Sequence, residues 1–343
     1  MNSLKNKKII VSLVFLTTFF SVNACDICSV LNYGDVNNKT FISLDYRYLL
    51  LRGYNGEVPE LNVPSSDGSR VSAPNLHRAL PGSDLIFVNS EEDFEIRTSY
   101  DLSFNYTFKE RWNLGLVVPY VVNQDFFDRV ISLVGPITSD LERFEGIGDI
   151  EIKVERIFSN KKKEARFDKV FKLGGGVSLP TGKFQVENIF TDNVDIQPGR
   201  DIYALNFKAS YNLERRGLWG GNLSVNHYLP LNKRVNNFNS TYQFARESSL
   251  QATGYKIFNG KVKKIIVLGL RGENQGQELV DEIVISNTGF NALFVNTGLS
   301  ISWRKFLLRG DVNIPIYQQL NGLQLKNRVN FNTGINYYFN KEK

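Results

Sequence analysis

From Phe94 to Phe108 the chain alternates without a break. Phe94, Ile96, Thr98, Tyr100, Leu102, Phe104, Tyr106 and Phe108 fall on one side, and Glu95, Arg97, Ser99, Asp101, Ser103, Asn105 and Thr107 on the other. That period defines a strand with one apolar and one polar face. It is longer than an ordinary globular strand, and its apolar face is almost wholly aromatic or aliphatic, as contact with lipid requires. The same pattern recurs along the chain and predicts strands over 40–49, 94–108, 112–120, 149–158, 170–180, 201–213, 217–230, 247–258, 265–272, 290–303, 306–317 and 325–339. The register of the pair within 247–272 is the least defined.

The connections between these strands alternate in length. Those at 109–111, 159–169, 214–216, 259–263 and 304–305 are short; those at 50–93, 121–148, 181–199, 231–246, 273–289 and 318–324 are long. Short turns on one side and long loops on the other are the arrangement of an outer-membrane barrel, with both termini on the short-turn, periplasmic side. The fold class expected is therefore all-β, a transmembrane antiparallel up-and-down barrel of about twelve strands. A soluble sandwich or lipocalin-like barrel also alternates, but loop asymmetry and the placement of aromatics weigh against it. Trp112, Trp219, Trp303 and Phe339 all fall beside short turns and form a candidate aromatic girdle. Pro119, Pro180, Pro230 and Pro315 stand at the far ends of four outgoing strands, where a residue without an N–H is expected to end the ladder. The 50–93 loop, rich in turn residues, is expected to be structureless, and it is a candidate lid.

After the first 24 residues no apolar run approaches a membrane helix, so any span must be made of strands. Residues 1–24, with Lys5, Lys7 and Lys8 before an apolar run and Ala24 at its end, read as a secretory signal peptide. Residues 25–38 are then a periplasmic lead-in, 39–339 the barrel and 340–343 a periplasmic tail. The formal charge is +6; without the three lysines of the leader, which holds no acid, it is +3, too little to argue for nucleic acid.

Cys25 and Cys28, in C-D-I-C, are the only cysteines. A local disulfide suits an oxidising periplasm. Val22 to Cys25 also resembles a lipobox, which would make Cys25 a lipidated first residue. A soft-metal site on Cys25 and Cys28 would have only half of a tetrahedral ligand set. A thioredoxin-type catalytic pair lacks its helical context.

Candidate catalysis is thin. Gly174 to Phe184 resembles a phosphate loop, yet Val177 stands where glycine is needed and Phe184 replaces the hydroxyl residue that would reach magnesium. Ser224, Asn226 and His227 invite comparison with a lipase triad, but Asn226 and His227 point to opposite faces of one strand, and His227 reads better as an interfacial side chain. The expectation is no enzyme and no cofactor.

The inward face carries the informative chemistry. Lumen candidates are Glu95, Arg97, Asp101, Asp149, Glu151, Lys153, Lys172, Lys208, Arg309, Asp311, Lys326 and Arg328, joined by Asp45, Arg47 and Glu155. Opposite signs nearly balance, so a ring of one sign is absent and strong ion selectivity is not indicated. Two readings stay open: a salt-bridged network filling the lumen, or a polar path for a solute. Twelve strands lie between barrels that side chains fill and barrels that hold water.

Three segments, G-I-G-D-I-E-I from Gly146, L-P-T-G from Leu179 and T-G-I-N-Y-Y-F from Thr333, resemble the outer-membrane channel family named after the meta-cleavage pathway of phenol degradation. The resemblance covers roughly 140–339. It implies passage of small hydrophobic or aromatic compounds across the outer membrane, and it carries no catalytic residues. The expected function is thus a channel or transporter for small solutes; the alternative is a closed structural barrel whose long loops bind a surface partner, with a lipid hydrolase a distant third. Outer-membrane lipid and, during biogenesis, the barrel-assembly machinery are the expected partners, the latter reading the closing strand that ends at Phe339.

The mature chain is expected to be unlipidated, with Cys25 and Cys28 oxidised, and intact mass of protein from native membranes checks this. A mass increase of a diacylglyceryl group plus an acyl chain, with Cys28 free, would establish the lipoprotein instead.

Overall fold

Alternation along the chain becomes alternation across a barrel wall. The computed structural model describes residues 40–55, 60–64, 70–74, 76–79, 85–88, 92–109, 111–132, 138–160, 166–184, 194, 196–235 and 240–339. The expected signal peptide, Cys25 and Cys28, the lysines of 161–163 and the tail 340–343 lie outside the described residues.

The wall strands are β1 (Phe41–Tyr54), β2 (Phe94–Phe108), β3 (Trp112–Ser132), β4 in two pieces (Thr138–Ile147 and Ile150–Asn160), β5 (Asp168–Leu179) and β6 (Ala204–Arg215). They continue as β7 (Trp219–Pro230), β8 (Glu247–Phe258), β9 (Lys263–Gln275), β10 (Phe290–Trp303), β11 (Phe306–Leu320) and β12 (Leu325–Tyr338). Each pairs antiparallel with its sequence neighbours, and β12 closes on β1 from Phe41↔Tyr338 outward, so the sheet has no free edge along that ladder. Closure is what lipid demands, because an N–H or C=O facing hydrocarbon finds no water.

Outward side chains are apolar and open to the surroundings: Leu102 is 50% exposed, Leu268 63% and Ile316 56%. Inward neighbours on the same strands, Asp101 and Ser103 among them, are buried. This inversion of the soluble pattern is the signature of a lipid-facing wall.

Several expectations about the long-loop end are corrected. β1 continues to Tyr54, and the segment expected to be structureless holds short strands at Glu60–Pro64, Arg70–Pro74, Leu76–Ala79 and Leu85–Val88, the last pairing with the tip of β3. The expected loop 121–148 is mostly strand, because β3 and the first piece of β4 extend as a hairpin above the apolar wall. Loops 231–246 and 276–289 combine into a small sheet of Arg234–Val235, Thr241–Gln243, Leu279–Val280 and Ile283–Val284.

The prolines behave more subtly than a stop signal. Pro180 follows the last residue of β5 and Pro230 is the last of β7, as expected. Pro119 sits inside β3, where it still faces Asp101 of β2; only the β4 side is interrupted, between Val117↔Glu151 and Tyr120↔Ile147. Pro315 likewise stays paired to Phe294 of β10, while the β11–β12 ladder stops at Asn313↔Asn330. A proline removes one donor, which points to one side of its strand, so one ladder is lost and the other survives.

Arginine at Tyr100, Leu102 or Phe104 is expected to block assembly in bilayers, each at about 2–4 kcal/mol near mid-depth, whereas Ser103→Ala assembles normally. Heat-modifiable gel migration reads the outcome, and equal tolerance of both sets would remove the membrane assignment.

Candidate functional site

The inward halves of the strands build a lumen with three levels. At the short-turn end it is filled. Phe41, Leu307 and Tyr338 cluster there, as do Tyr255, Ile257, Ile265 and Val267. Next comes a dry polar layer. Arg309 Nε donates to Asp45 at 3.2 Å, with side chains only 4% and 3% exposed, and Arg47 pairs with Asp101 at 2.6 Å. A Cβ on Gly334 would overlap the Asp45 carboxylate, so only glycine lets that pair form. Asp311 accepts from the amides of Asn332 at 3.1 Å and of Asn296 and Asn313 at 3.3 Å, an amide cage around a buried carboxylate that also lies in the electrostatic reach of Arg271 and Arg309.

Above that layer lies a cavity of about 470 Å³. Arg47, Arg97, Asp149, Glu151, Lys153 and Lys208 of the expected lumen set line it, with Glu155 and Gly174 to Gly176. The glycine run that resembled a phosphate loop is thus the middle of β5, bordering the cavity. Charges here are matched: Arg97 with Glu95, Lys153 with Glu151 at 2.7 Å and Lys208 with Glu155 at 3.8 Å. Lys172 lies in the electrostatic reach of Glu155 and Lys208. Amides of Asn206, Asn226, Gln318, Gln324, Asn327 and Asn330 complete the walls.

Lys326 and Arg328 are corrected. Leu50 pairs with Val329 and Leu51 with Asn327, so β12 carries one extra residue, Arg328, and its inward parity reverses. Asn330, Asn327 and Leu325 line the cavity while Lys326 and Arg328 do not, and Arg328 is exposed. A one-residue bulge moves a whole strand end to the other face.

The outer end is roofed by loops. Val194, Ile202, Tyr242 and Phe244 form an apolar cluster with Phe184, Val280 and Ile285 packed on it. In the loop sheet the Thr241 N–H donates to Asp281 at 2.6 Å and holds that carboxyl below its ordinary range. Asp149 fixes the roof to the wall, accepting from the N–H of Arg200 at 2.8 Å and of Gly182 at 2.9 Å. Thr181 Oγ1 accepts the Ile150 N–H at 2.9 Å. The G-I-G-D and L-P-T-G segments therefore meet as one clasp. A Cβ on Gly182 would fall 2.6 Å from Gly199 Cα, so the two chain segments cross where side chains cannot fit.

Sequence reasoning missed the groups this clasp delivers. Arg200 pairs with Glu247 and lies over the rings of Tyr228 at 4.8 Å and Phe244 at 5.4 Å, and Arg271 pairs with Glu273 at 2.6 Å. Arg200 falls between the expected loop 181–199 and the expected strand 201–213, and Arg271 belongs to the strand pair of least certain register. The alternate asparagines Asn330 and Asn332 carried a readable signal in N-F-N.

The β11–β12 seam is a further feature of the wall. Beyond Asn313↔Asn330 the facing edges of the two strands are not laddered together. The Gln318 side chain takes the place of backbone there, donating to the Asn327 carbonyl at 2.9 Å and accepting its N–H at 2.8 Å. Gln318, Leu320, Leu325 and Asn327 also line the cavity, and Ile314, Ile316 and Tyr317 are exposed on the outer surface beside it.

Trp112, Trp219, Trp303 and Phe339 sit at the short-turn end. Trp112 stacks with Phe108 at 6.4 Å, Trp219 meets Phe167 edge-on at 5.8 Å, and the Phe339 N–H donates to the Thr40 carbonyl. His227 is half-buried and shares a 3.0 Å hydrogen bond with Ser248, which leaves the Ser224, Asn226 and His227 set unassembled as a triad.

Taken together, these features define a closed twelve-stranded barrel of the outer-membrane type. It is similar to the COG4313 outer membrane channel from Pseudomonas putida F1, with a TM-score of 0.59 and 12% identity over 90% of this chain and 100% of that one. Weaker likenesses are to the transport unit of the autotransporter AIDA-I from Escherichia coli (TM-score 0.45, 9% identity, 92% and 93% covered) and a Pseudomonas aeruginosa FadL homologue (0.40, 10%, 94% and 96%); nothing rests on these two. No family model and no curated protein matches the chain.

Asp45→Asn is expected to destabilise the folded barrel by about 3–5 kcal/mol, because the buried Arg309 guanidinium loses the carboxylate it pairs with. Replacing both by apolar residues of similar volume recovers most of that loss. Urea titration in lipid vesicles checks this, and a loss under 1 kcal/mol for the single variant would show the layer to be wet.

Proposed function

We propose that the chain is an outer-membrane channel that passes small solutes, apolar or aromatic ones in particular, through a partly filled lumen. The carrying observation is the cavity of about 470 Å³ between roof and dry layer, a volume suited to a single small molecule. Its charges are matched in sign, which leaves amides, paired ions and the rings of Tyr228, Phe244, Phe290 and Phe294 as the surface a solute meets. The seam supports an apolar solute: it brings the cavity against the lipid-facing side through a wall closed by one side-chain amide rather than by backbone. Membership of the phenol meta-pathway family rests on the three short segments, two of which meet in the Asp149 clasp.

The closed structural barrel is the second reading, and the dry layer at Asp45, Arg309 and Asp311 favours it. Uptake by liposomes separates the two. Vesicles holding the protein are expected to take up a monocyclic aromatic solute at least tenfold faster than empty ones, and Asn330→Trp, which narrows the cavity, reduces that gain. Equal rates in protein-bearing and empty vesicles would leave the structural barrel as the better account.

A further inference from the structure

We propose that the outer rim of the β12–β1 wall binds the phosphate groups of a glycolipid headgroup in the facing leaflet, through Arg328, Lys326 and Arg52. The proposal rests on the outer-membrane reading and on the long loops facing outward.

The bulge at Arg328 creates the site. Without it, the alternation that puts Asn332 and Asn330 inward would carry Arg328 and Lys326 into the lumen as well. With the extra residue, Asn327 and Leu325 take the lumen positions, Arg328 is exposed, and Lys326 lies between two lumen residues on the opposite face. Arg328 Nε donates to the Arg52 carbonyl at 2.7 Å, which fixes the two arginine-bearing strand ends side by side. The Arg52 side chain is 50% exposed and its described acidic partner is Glu92, itself 64% exposed. Among the described residues, Glu92 is the one acid paired with any of these three cations.

Their depth is set by the wall below. Descending from Arg52, the outward positions of β1 are Leu50, Tyr48, Tyr46 and Leu44; on β12, Phe331 approaches Tyr46 with ring centroids 6.5 Å apart. The cations therefore stand beyond the outward apolar positions of β1 and β12, the level this proposal assigns to headgroups. Guanidinium forks match phosphate oxygens two at a time, and each basic residue at a membrane surface strengthens attraction to anionic lipid. Beside them the exposed Ile314, Ile316 and Tyr317 give an acyl chain an apolar surface to follow.

The test uses the folded barrel in neutral detergent micelles doped with bisphosphorylated lipid A, the same lipid A stripped of phosphate, or phosphatidylglycerol, with retained lipid counted by native mass spectrometry. Wild type is expected to retain bisphosphorylated lipid A in preference to the other two. The variant carrying Arg328→Gln, Lys326→Gln and Arg52→Gln is expected to bind it on the order of a hundredfold more weakly, at roughly fivefold per charge. Arg143→Gln, which removes an exposed arginine paired with Glu145, leaves retention unchanged. Heat-modifiable migration confirms that each variant is assembled, and liposome uptake is read in parallel. Lost uptake with lipid retention intact would count against the channel and not against this site. Undiminished retention in the triple variant, or equal retention of the stripped lipid A, would overturn the proposal. Preference for phosphatidylglycerol would overturn it too, by placing this rim at the opposite leaflet.

Discussion

A backbone amide that faces hydrocarbon has no water to bond, and each one left open there costs several kcal/mol. The wall of this protein follows from that constraint. Twelve strands must close on themselves, which β12 does by pairing with β1. Where proline removes a donor the loss is confined to one side of the strand, and other groups fill in: the Gly148 N–H donates to the Pro119 carbonyl at 2.9 Å, and the Gln318 amide serves Asn327. The Gln318 repair stands near the long-loop end, whereas Pro119 lies deeper in the wall, opposite Asp101.

The lumen answers a second form of the same constraint. Every other residue points inward, and a polar or charged group there needs a partner once water is excluded. In the dry layer the partners are close and specific, Asp45 with Arg309 and Asp311 with three asparagines. Toward the long loops the barrel keeps space instead of filling it, and the roof is held above that space by the Asp149 clasp. The filled end and the open cavity share the same strands, and what differs is the inward side chains: bulky and apolar or tightly caged at one end, glycines, amides, paired ions and a few rings around a space at the other.

Much of the wall was legible because a period of two survives any loop. The strands beginning at Phe94, Phe290 and Phe306 were readable to within three residues at each end. Aromatics could be placed at the short-turn end because interfacial rings there need no tertiary partner. Elements above the membrane were harder. The tip of β3 and the first piece of β4 have no lipid on one side to impose alternation, so a long hairpin read as a loop. Lys326 and Arg328 were misplaced because a single extra residue reverses parity and leaves no mark in the sequence. Arg200 and Glu247 lie far apart along the chain in segments of weak period, and only the clasp at Asp149 brings them together.

Native hydrogen exchange in lipid bilayers tests the backbone account most directly. Amides in every wall ladder, including β12–β1, are expected to exchange slowly; within 314–320 and 325–329, those whose N–H points across the β11–β12 seam beside the Gln318 bridge exchange markedly faster than the rest of β11 and β12. Rapid exchange along the whole β12–β1 ladder would contradict closure. Protection across the seam as strong as that between Phe306 and Asn313 would contradict the wall in which one side-chain amide stands in for the backbone.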